Sequence, residues 1–386
     1  MNTKDFTKKY YTKRKNTDCV KWDNPDVKNK LPMFIADMDF KTEPKIIEAL
    51  QKRIKHGSFG YSFLPKDYYD IVSNWNRKRN GLTIKKDWVR FSKGAVDAIY
   101  QIIYAFTNPK DNILITTPVY PPFSDSITKT NRTLVTSKLI FNNGLFTFNY
   151  DDIEHKIIEK NIKMIILCSP HNPLGRVWTK EELTKLLQIT SKHNVLVLSD
   201  EVHSDIIMPK YKFVPTLKLK EYQDTVISIS SASKTFSLAI FNHCHIFIPN
   251  KELRDTFDKY QQENHRQAVN ILDAYPTYYG YKYGEKWLDD VIKVIEENYN
   301  YLTKRLKPYF SFLPLQGTYL MFIDFSKYTK NGYKFLYDKC NIVPNPGETF
   351  CKDYSCWVRL NLATSLDNIK KACDQIENTL LKLTNH

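Results

Sequence analysis

Lys234 is the residue whose chemistry is easiest to state from the sequence. It follows residues 225–229, a β-branched apolar run that predicts a short buried strand, and it closes Ser231-Ala232-Ser233-Lys234. A lysine just past the carboxyl end of a buried strand stands where α/β sheets keep their ligands. Its ammonium gives up a proton readily in a partly desolvated site, so it can form a Schiff base with a carbonyl cofactor. Ser231 and Ser233 add two hydroxyl donors suited to a phosphate. Ser-x-Ser-Lys by itself does not separate this reading from an ordinary surface lysine, so other stretches must converge on it.

Four others do. Asn172 stands in Ser169-Pro170-His171-Asn172-Pro173-Leu174-Gly175-Arg176, after an apolar run at 164–168. Asp200 stands in Ser199-Asp200-Glu201-Val202-His203, after the run 195–198. Tyr120 sits in a stiff loop, Pro118-Val119-Tyr120-Pro121-Pro122-Phe123, which can present its ring as a flat stacking surface. Gly94 lies in Phe91-Ser92-Lys93-Gly94-Ala95-Val96, which opens an apolar helix. Free N–H groups and the helix dipole make such a turn an anion site, and it is equally an ordinary strand-to-helix turn. Together these are the parts that pyridoxal phosphate needs: a lysine for the aldehyde, an acid for the ring nitrogen, donors for the phosphate, and a ring to stack on.

The elements that must position them alternate strand and helix from 91 to 230, which predicts a mainly parallel sheet. In such a sheet the carboxyl ends share one edge, so these loops meet at one crevice. Thr179 and Glu182 have the spacing of a capping box for the helix after Asn172. Upstream, 31–40 is an apolar run ending in two acids and reads as a strand or loop entering the core. Thr42 and Pro44 open a helix, a two-glycine loop follows at 56–61, and 65–80 reads as an amphipathic helix. Beyond 250, a polar helical stretch leads to Gly280 and Gly284. Then come a long helix (287–306), a strand (318–325), a helix near 332–340, a strand (357–361) and a final helix from Ser365. This predicts a second, α+β domain.

A chain of 386 residues fits about two domains, and 42% hydrophobic residues allow a large core. The net charge of +15 would suit a nucleic-acid or membrane ligand, but the lysines are scattered, with no block of five like charges. Neither partner is expected. Seven cysteines (19, 168, 244, 340, 351, 356 and 373) form no CxxC pair, and the first fifteen residues lack an apolar core for a signal peptide. We expect a cytoplasmic protein with free thiols. His243 and His245 would share one strand face, but no second ligand pair follows, so no metal is expected.

With these motifs set down, the chain resembles a fold-type I pyridoxal phosphate enzyme of the class I/II aminotransferase superfamily. More closely it is similar to the MalY/PatB branch of cystathionine β-lyases, also called C–S lyases. The matching runs are KWD (21–23), IADMDF (35–40), FGYS (59–62), TPVYPPF (117–123), SPHNPLGRVWTKEEL (169–183), SDEVHSDI (199–206), SASKTF (231–236), GTYL (317–320) and VRLNLA (358–363). The resemblance implies a large domain (46–284) with a mainly parallel seven-stranded sheet. It also implies a smaller α+β domain (285–386), joined by an N-terminal segment (1–45).

Carried over residue by residue, Lys234 would be the Schiff-base lysine and proton carrier. Asp200 would pair with the pyridine nitrogen, Asn172 would bond the ring hydroxyl, and His203 stands where many aminotransferases have tyrosine. Tyr120 would stack on the ring. Gly94, Ala95, Ser231 and Ser233 would hold the phosphate, and Tyr61 would reach the phosphate of a neighbouring subunit in a homodimer. Arg359 would clamp the substrate carboxylate, with Asn172 and Met38 also against the substrate. Two departures stand out: Ile240 replaces a glycine common in relatives, and no arginine for the phosphate lies between Lys234 and Ile248. Lys93 is the candidate for that charge. The implied reaction is α,β-elimination of a cysteine thioether to thiol, pyruvate and ammonia. An amino-acid aminotransferase is the alternative, since transamination shares every step up to removal of the α-proton. A DNA-binding regulator is the rival from another class, but no winged helix fits ahead of the matched runs.

Overall fold

The fold is built on seven strands, the central ones largely apolar. A computed structural model describes residues 1–267 and 269–384. In chain order the strands are β1 (Val89–Ser92), β2 (Asn112–Thr117), β3 (Thr133–Lys138), β4 (Ile162–Cys168), β5 (Leu196–Asp200), β6 (Val226–Ser230) and β7 (Cys244–Phe247). They form one sheet in the order β1-β7-β6-β5-β4-β2-β3. All run parallel except β7, which is antiparallel to both neighbours. The carboxyl ends of β2, β4, β5 and β6 therefore lie along one edge, and β1 points the same way.

Period-two alternation decides which core each side chain joins. Ile113, Ile115, Met164, Ile166, Ile227 and Ile229 face one layer, formed by Ala95–Phe106, Pro122–Lys129 and Lys251–Glu263. Leu114, Ile165, Leu167 and Val197 face the other, where Leu183, Leu186 and Leu187 of Lys180–Lys192 pack. Because both faces are covered, these central strands read as continuous apolar runs rather than alternating ones. The predicted capping box is present: Thr179 Oγ1 accepts from the Glu182 N–H at 3.2 Å, and Glu182 Oε2 accepts from the Thr179 N–H at 2.8 Å.

The carboxyl-terminal part holds a three-stranded antiparallel sheet with Trp357–Asn361 between Leu320–Asp324 and Asn345–Pro346. Glu285–Leu306 and Leu366–Thr384 cover it. The amino-terminal segment folds back onto this part. Leu31–Pro32 pairs with Ile342–Val343, and the Phe6 ring lies 5.8 Å from that of Trp287. Among the described residues no helix is long and apolar enough to cross a membrane.

Several elements differ from expectation. β3 is an edge strand, polar and half exposed, so it lacks an apolar run. A hairpin at Ile140–Asn142 and Leu145–Thr147 turns on Asn143 and Gly144, both at positive φ, and its Asn-Gly signal went unread. The helix expected from 65 starts at Tyr68, because residues 65–67 form a turn in which the Tyr68 N–H bonds the Pro65 carbonyl. The polar stretch after 250 is two helices, Lys251–Glu263 and Ile271–Tyr283. The helix near 332–340 is one turn (Gly332–Lys334) running into a wider turn (Phe335–Lys339). The strand expected at 318–325 shortens to Leu320–Asp324, since Thr318 sits at φ +66°.

Candidate active site

Loops from the strand ends meet a strand of the small sheet around a cavity of about 280 Å³. Lys234, Asp200, Asn172, His203, Tyr120, Arg359, Ala95 and Ser233 all line it.

Lys234 lies in a single helical turn, Ala232–Thr235, directly after β6. Ser231 Oγ accepts from the Ser233 N–H at 3.2 Å and donates to the His243 carbonyl at 2.8 Å. Thr235 donates to the buried carboxylate of Asp205 at 2.8 Å, which also accepts from the Trp75 indole at 3.0 Å. The turn is fixed on both sides of the lysine. Lys234 Nζ donates to the Ala36 carbonyl at 3.0 Å. Burial pushes its pKa below the usual ammonium value; Asp37 opposes this, Arg359 adds to it, and Asp200 opposes it again.

The run after β5 distributes its carboxylates. Asp200 faces the cavity, where it accepts one bond, from the Val202 N–H at 3.1 Å. Glu201 points away and accepts from Ser199 and from the backbone and hydroxyl of Thr216. Burial pushes the Asp200 carboxyl up, the Val202 bond holds it down, the neighbouring Glu201 charge raises it and the Lys234 charge lowers it, and together these leave it at about 7. His203 lines the same wall. Burial, then the Lys234 and Arg359 charges, hold its imidazole neutral, at about 3, and its Nδ1 has no partner among the described residues.

Arg359 comes from the small sheet. Its Nη1 donates to Asn172 Oδ1 at 2.8 Å, and its Nη2 donates to Asn345 Oδ1. Its guanidinium carbon lies 4.9 Å above the Phe350 ring. Its Nε is buried and has no partner among the described residues. Since the Asn172 oxygen is engaged by Arg359, its amide N–H groups are what remain to donate. Tyr120 is half-buried, edge-on to Phe123 with ring centroids 5.9 Å apart.

Not every expected residue joins this cavity. Gly94 caps Ala95–Phe106 at φ +95°, a conformation L residues avoid, but it does not line the cavity, and neither does Ser231. Tyr61 and Lys93 lie instead along a larger cleft of about 950 Å³, with Arg53, Asn242 and Arg266. Met38 is 1% exposed and packs in the core; Ile35 and Ala36 form the wall there. His243 and His245 both approach the Tyr68 hydroxyl through Nε2, at 2.6 and 2.8 Å. His171 and Arg176 support the Asn172 loop: Arg176 bonds the Phe146 carbonyl and Gln316 and pairs with Glu182. Ile240 is 83% exposed.

Sequence reading missed three participants. Asn345 stands between two prolines and was given no role. Phe350 carries no motif. The Ala36 carbonyl is backbone, and no residue type announces it.

Comparison with known proteins identifies the family. The pattern of the family described as aminotransferase class I and II matches residues 29–376. Cystathionine beta-lyase PatB of Bacillus subtilis is 32% identical over 95% of this chain and 98% of its own. Protein MalY of Escherichia coli is 26% identical over 97% of this chain and 98% of its own. The crystal structure of cystalysin from Treponema denticola, which contains pyridoxal 5′-phosphate, superposes with a TM-score of 0.92. It is 32% identical and covers 97% of this chain and 98% of that one.

Proposed function

Because the chain belongs to the class I and II aminotransferase family, we propose that it is a pyridoxal-phosphate-dependent carbon–sulfur β-lyase. It would cleave cystathionine or another S-substituted cysteine to a thiol (homocysteine from cystathionine), pyruvate and ammonia. The observation that carries this reading is the meeting of Lys234, Asp200, Asn172 and Arg359 at one cavity.

The demands left unmet in that cavity fit the cofactor. Asp200 is a buried carboxylate without a hydrogen-bonded cation, and one N–H is all it accepts. A protonated ring nitrogen opposite it would favour its ionised form. Among the described residues, His203 Nδ1 and Arg359 Nε are buried without partners. When bound, pyridoxal phosphate supplies an aldehyde for amino groups and a ring that takes up the negative charge developing at Cα.

The chain's own residues do the rest. Lys234 would hold the cofactor covalently and, once displaced by the substrate amine, take the proton from Cα. Its lowered pKa suits that task, because a neutral amine is the base. Asn172 would donate its remaining N–H groups to the ring hydroxyl, and Tyr120 would lie against the ring. Arg359 would grip the substrate carboxylate, a bidentate task for which its fork is already oriented by Asn172 and Asn345. Gly94, Ala95, Ser231 and Ser233 would hold the phosphate. A thioether and one water give thiol, pyruvate and ammonia, so no keto acid is consumed.

We propose a homodimer in the cytoplasm. Support for the dimer is the loop carrying Phe59 (60% exposed), Tyr61 (113%) and Phe63 (97%), a row of rings turned to solvent in one subunit. Seven unpaired cysteines suit a reducing compartment. Residues 46–284 would be the cofactor-binding domain, and 285–386, with 1–45 folded onto it, the smaller one.

The deciding experiment offers S-alkyl cysteines and cystathionine without a keto acid, and measures thiol and pyruvate together. Equal amounts of both are expected. Neither product, with rapid amino-group exchange once a keto acid is added, would replace the lyase with an aminotransferase.

A further inference from the structure

Two matched runs, KWD and IADMDF, have no role in the reaction as described, yet they build one structure. Ile35 sits at φ +54°, a left-handed conformation that a β-branched side chain rarely adopts. Something must hold it there, and the contacts are explicit. The Ile35 N–H donates to Asn345 Oδ1 at 2.9 Å. Asn361 Nδ2 donates to the Ile35 carbonyl at 2.8 Å and to the Asp37 carbonyl at 2.7 Å. Arg14 binds the Asp37 carboxylate at 2.6 Å and the Met38 carbonyl at 2.9 Å. Beneath them lies a buried ion pair, Lys21 Nζ to Asp39 Oδ2 at 3.0 Å, with both residues at most 1% exposed. Trp22 Nε1 donates to the other Asp39 oxygen at 2.8 Å, and Lys21 reaches the Asp37 carbonyl at 3.2 Å.

The residue between the two clamped positions is Ala36, and its carbonyl meets Lys234 Nζ at 3.0 Å. We propose that Lys21 and Asp39 are positioning residues for Lys234: their buried pair sets the strained 35–39 loop so that the Ala36 carbonyl receives the lysine ammonium. This rests on the reading of Lys234 as the proton carrier. In that cycle the lysine must become an ammonium inside a largely desolvated cavity. A carbonyl that accepts from the charged form supports it there, where burial and the Arg359 charge oppose it. The other groups facing the lysine are the carboxylates of Asp37 and Asp200; His203 and Tyr120 stand nearby as neutral rings.

A positioning role and a merely structural one predict opposite signs. If the latch sets the acceptor, loosening it removes a bond to the ammonium and lowers the Lys234 pKa. If the latch only keeps the fold tight, loosening it admits water and raises that pKa toward the ordinary lysine value.

The test is competitive labelling of amines with acetic anhydride across pH, read by mass spectrometry on the Lys234 peptide. The full-length chain is used, stripped of cofactor, so the outcome does not depend on which reaction the loaded enzyme performs. A wild-type protein that gives no pyruvate from thioethers would sink the lyase reading and leave this midpoint unaffected. In Lys21→Met the Lys234 midpoint should fall by roughly 0.5–1 pH unit. Trp22→Phe, which keeps the ion pair and removes one bond to Asp39, should give a smaller fall of the same sign. It also serves if Lys21→Met fails to fold by near-ultraviolet circular dichroism. A midpoint that stays put or rises in the folded variants overturns the proposal.

Discussion

Arg359 Nη1 and Asn172 Oδ1 meet at 2.8 Å although 187 residues separate them in the chain. The bond ties the middle strand of the small sheet to the loop after β4. The guanidinium is therefore oriented before any carboxylate arrives. Arg359→Ala should weaken substrate use by about 2–4 kcal/mol, mostly through KM, since a buried carboxylate would lose its charged partner. Arg359→Lys keeps the charge but not the fork or the stacking on Phe350, and should recover only part of the loss. Steady-state kinetics on one thioether, with kcat and KM separated, checks both.

Lys234→Ala addresses the chemistry itself. With pyridoxal phosphate added, the wild-type chain should turn yellow, and the variant should lack the band of the lysine-linked cofactor. Thiol release should fall by on the order of 10²–10⁴-fold with less effect on KM, as expected for loss of a general base. A spectrophotometric titration alongside a thiol assay is sufficient. A wild-type chain that stays colourless would remove the cofactor from the reading.

Asp200 gives a pH prediction. Its folded carboxyl sits at about 7, above the ordinary value, because burial disfavours the charge. Between about pH 4 and 7 the folded, cofactor-free chain binds more protons at this site than the unfolded chain. Its stability contribution is therefore kept at low pH and lost as pH rises, by at most ~1.4 kcal/mol per pH unit. Asp200→Asn removes this dependence. Tm of the two cofactor-free proteins should be similar near pH 4.5, and the variant should be higher at pH 8. Comparing the pair cancels the other titrating groups, including buried Glu201 and Asp205. The same variant should be inactive, because a neutral amide gives little support to a protonated ring nitrogen.

The exposed Tyr61 supplies a test of assembly. Sedimentation should report twice the 45.5 kDa chain mass. Mixing Tyr61→Ala with Lys234→Ala subunits should restore part of the activity, because one site of each hybrid carries neither lesion. No recovery, once subunit exchange is demonstrated, argues against a shared site.

The strand ends were legible because burial on both faces writes itself as apolar runs, and the polar residue just past each run has to face the edge. Asn172, Asp200 and Lys234 were found that way. Met38 came from the family resemblance and not from such a run; the backbone turns left-handed at Ile35, and Ile35 and Ala36, not Met38, line the cavity. Asn345 was hidden for another reason: its amide bonds Arg359 and Ile35 from a segment whose two prolines advertise only a turn. β3 escaped notice because an edge strand needs little apolar surface.

Cys168 borders the cavity wall, and of the seven cysteines it is the one that does so. Its Sγ accepts from the Asn172 N–H at 3.4 Å and lies 3.5 Å from the Pro170 carbonyl. Burial, reinforced by the Asp200 charge, pushes its thiol far above the usual range, so it stays protonated. Disulfide exchange and sulfur alkylation both start from a thiolate. A lyase of this kind works in a growing pool of its own thiol product and of whatever disulfides that product forms in air. The cysteine at the cavity wall is thus held in its unreactive form where those species first appear, which makes the enzyme chemically compatible with what it makes.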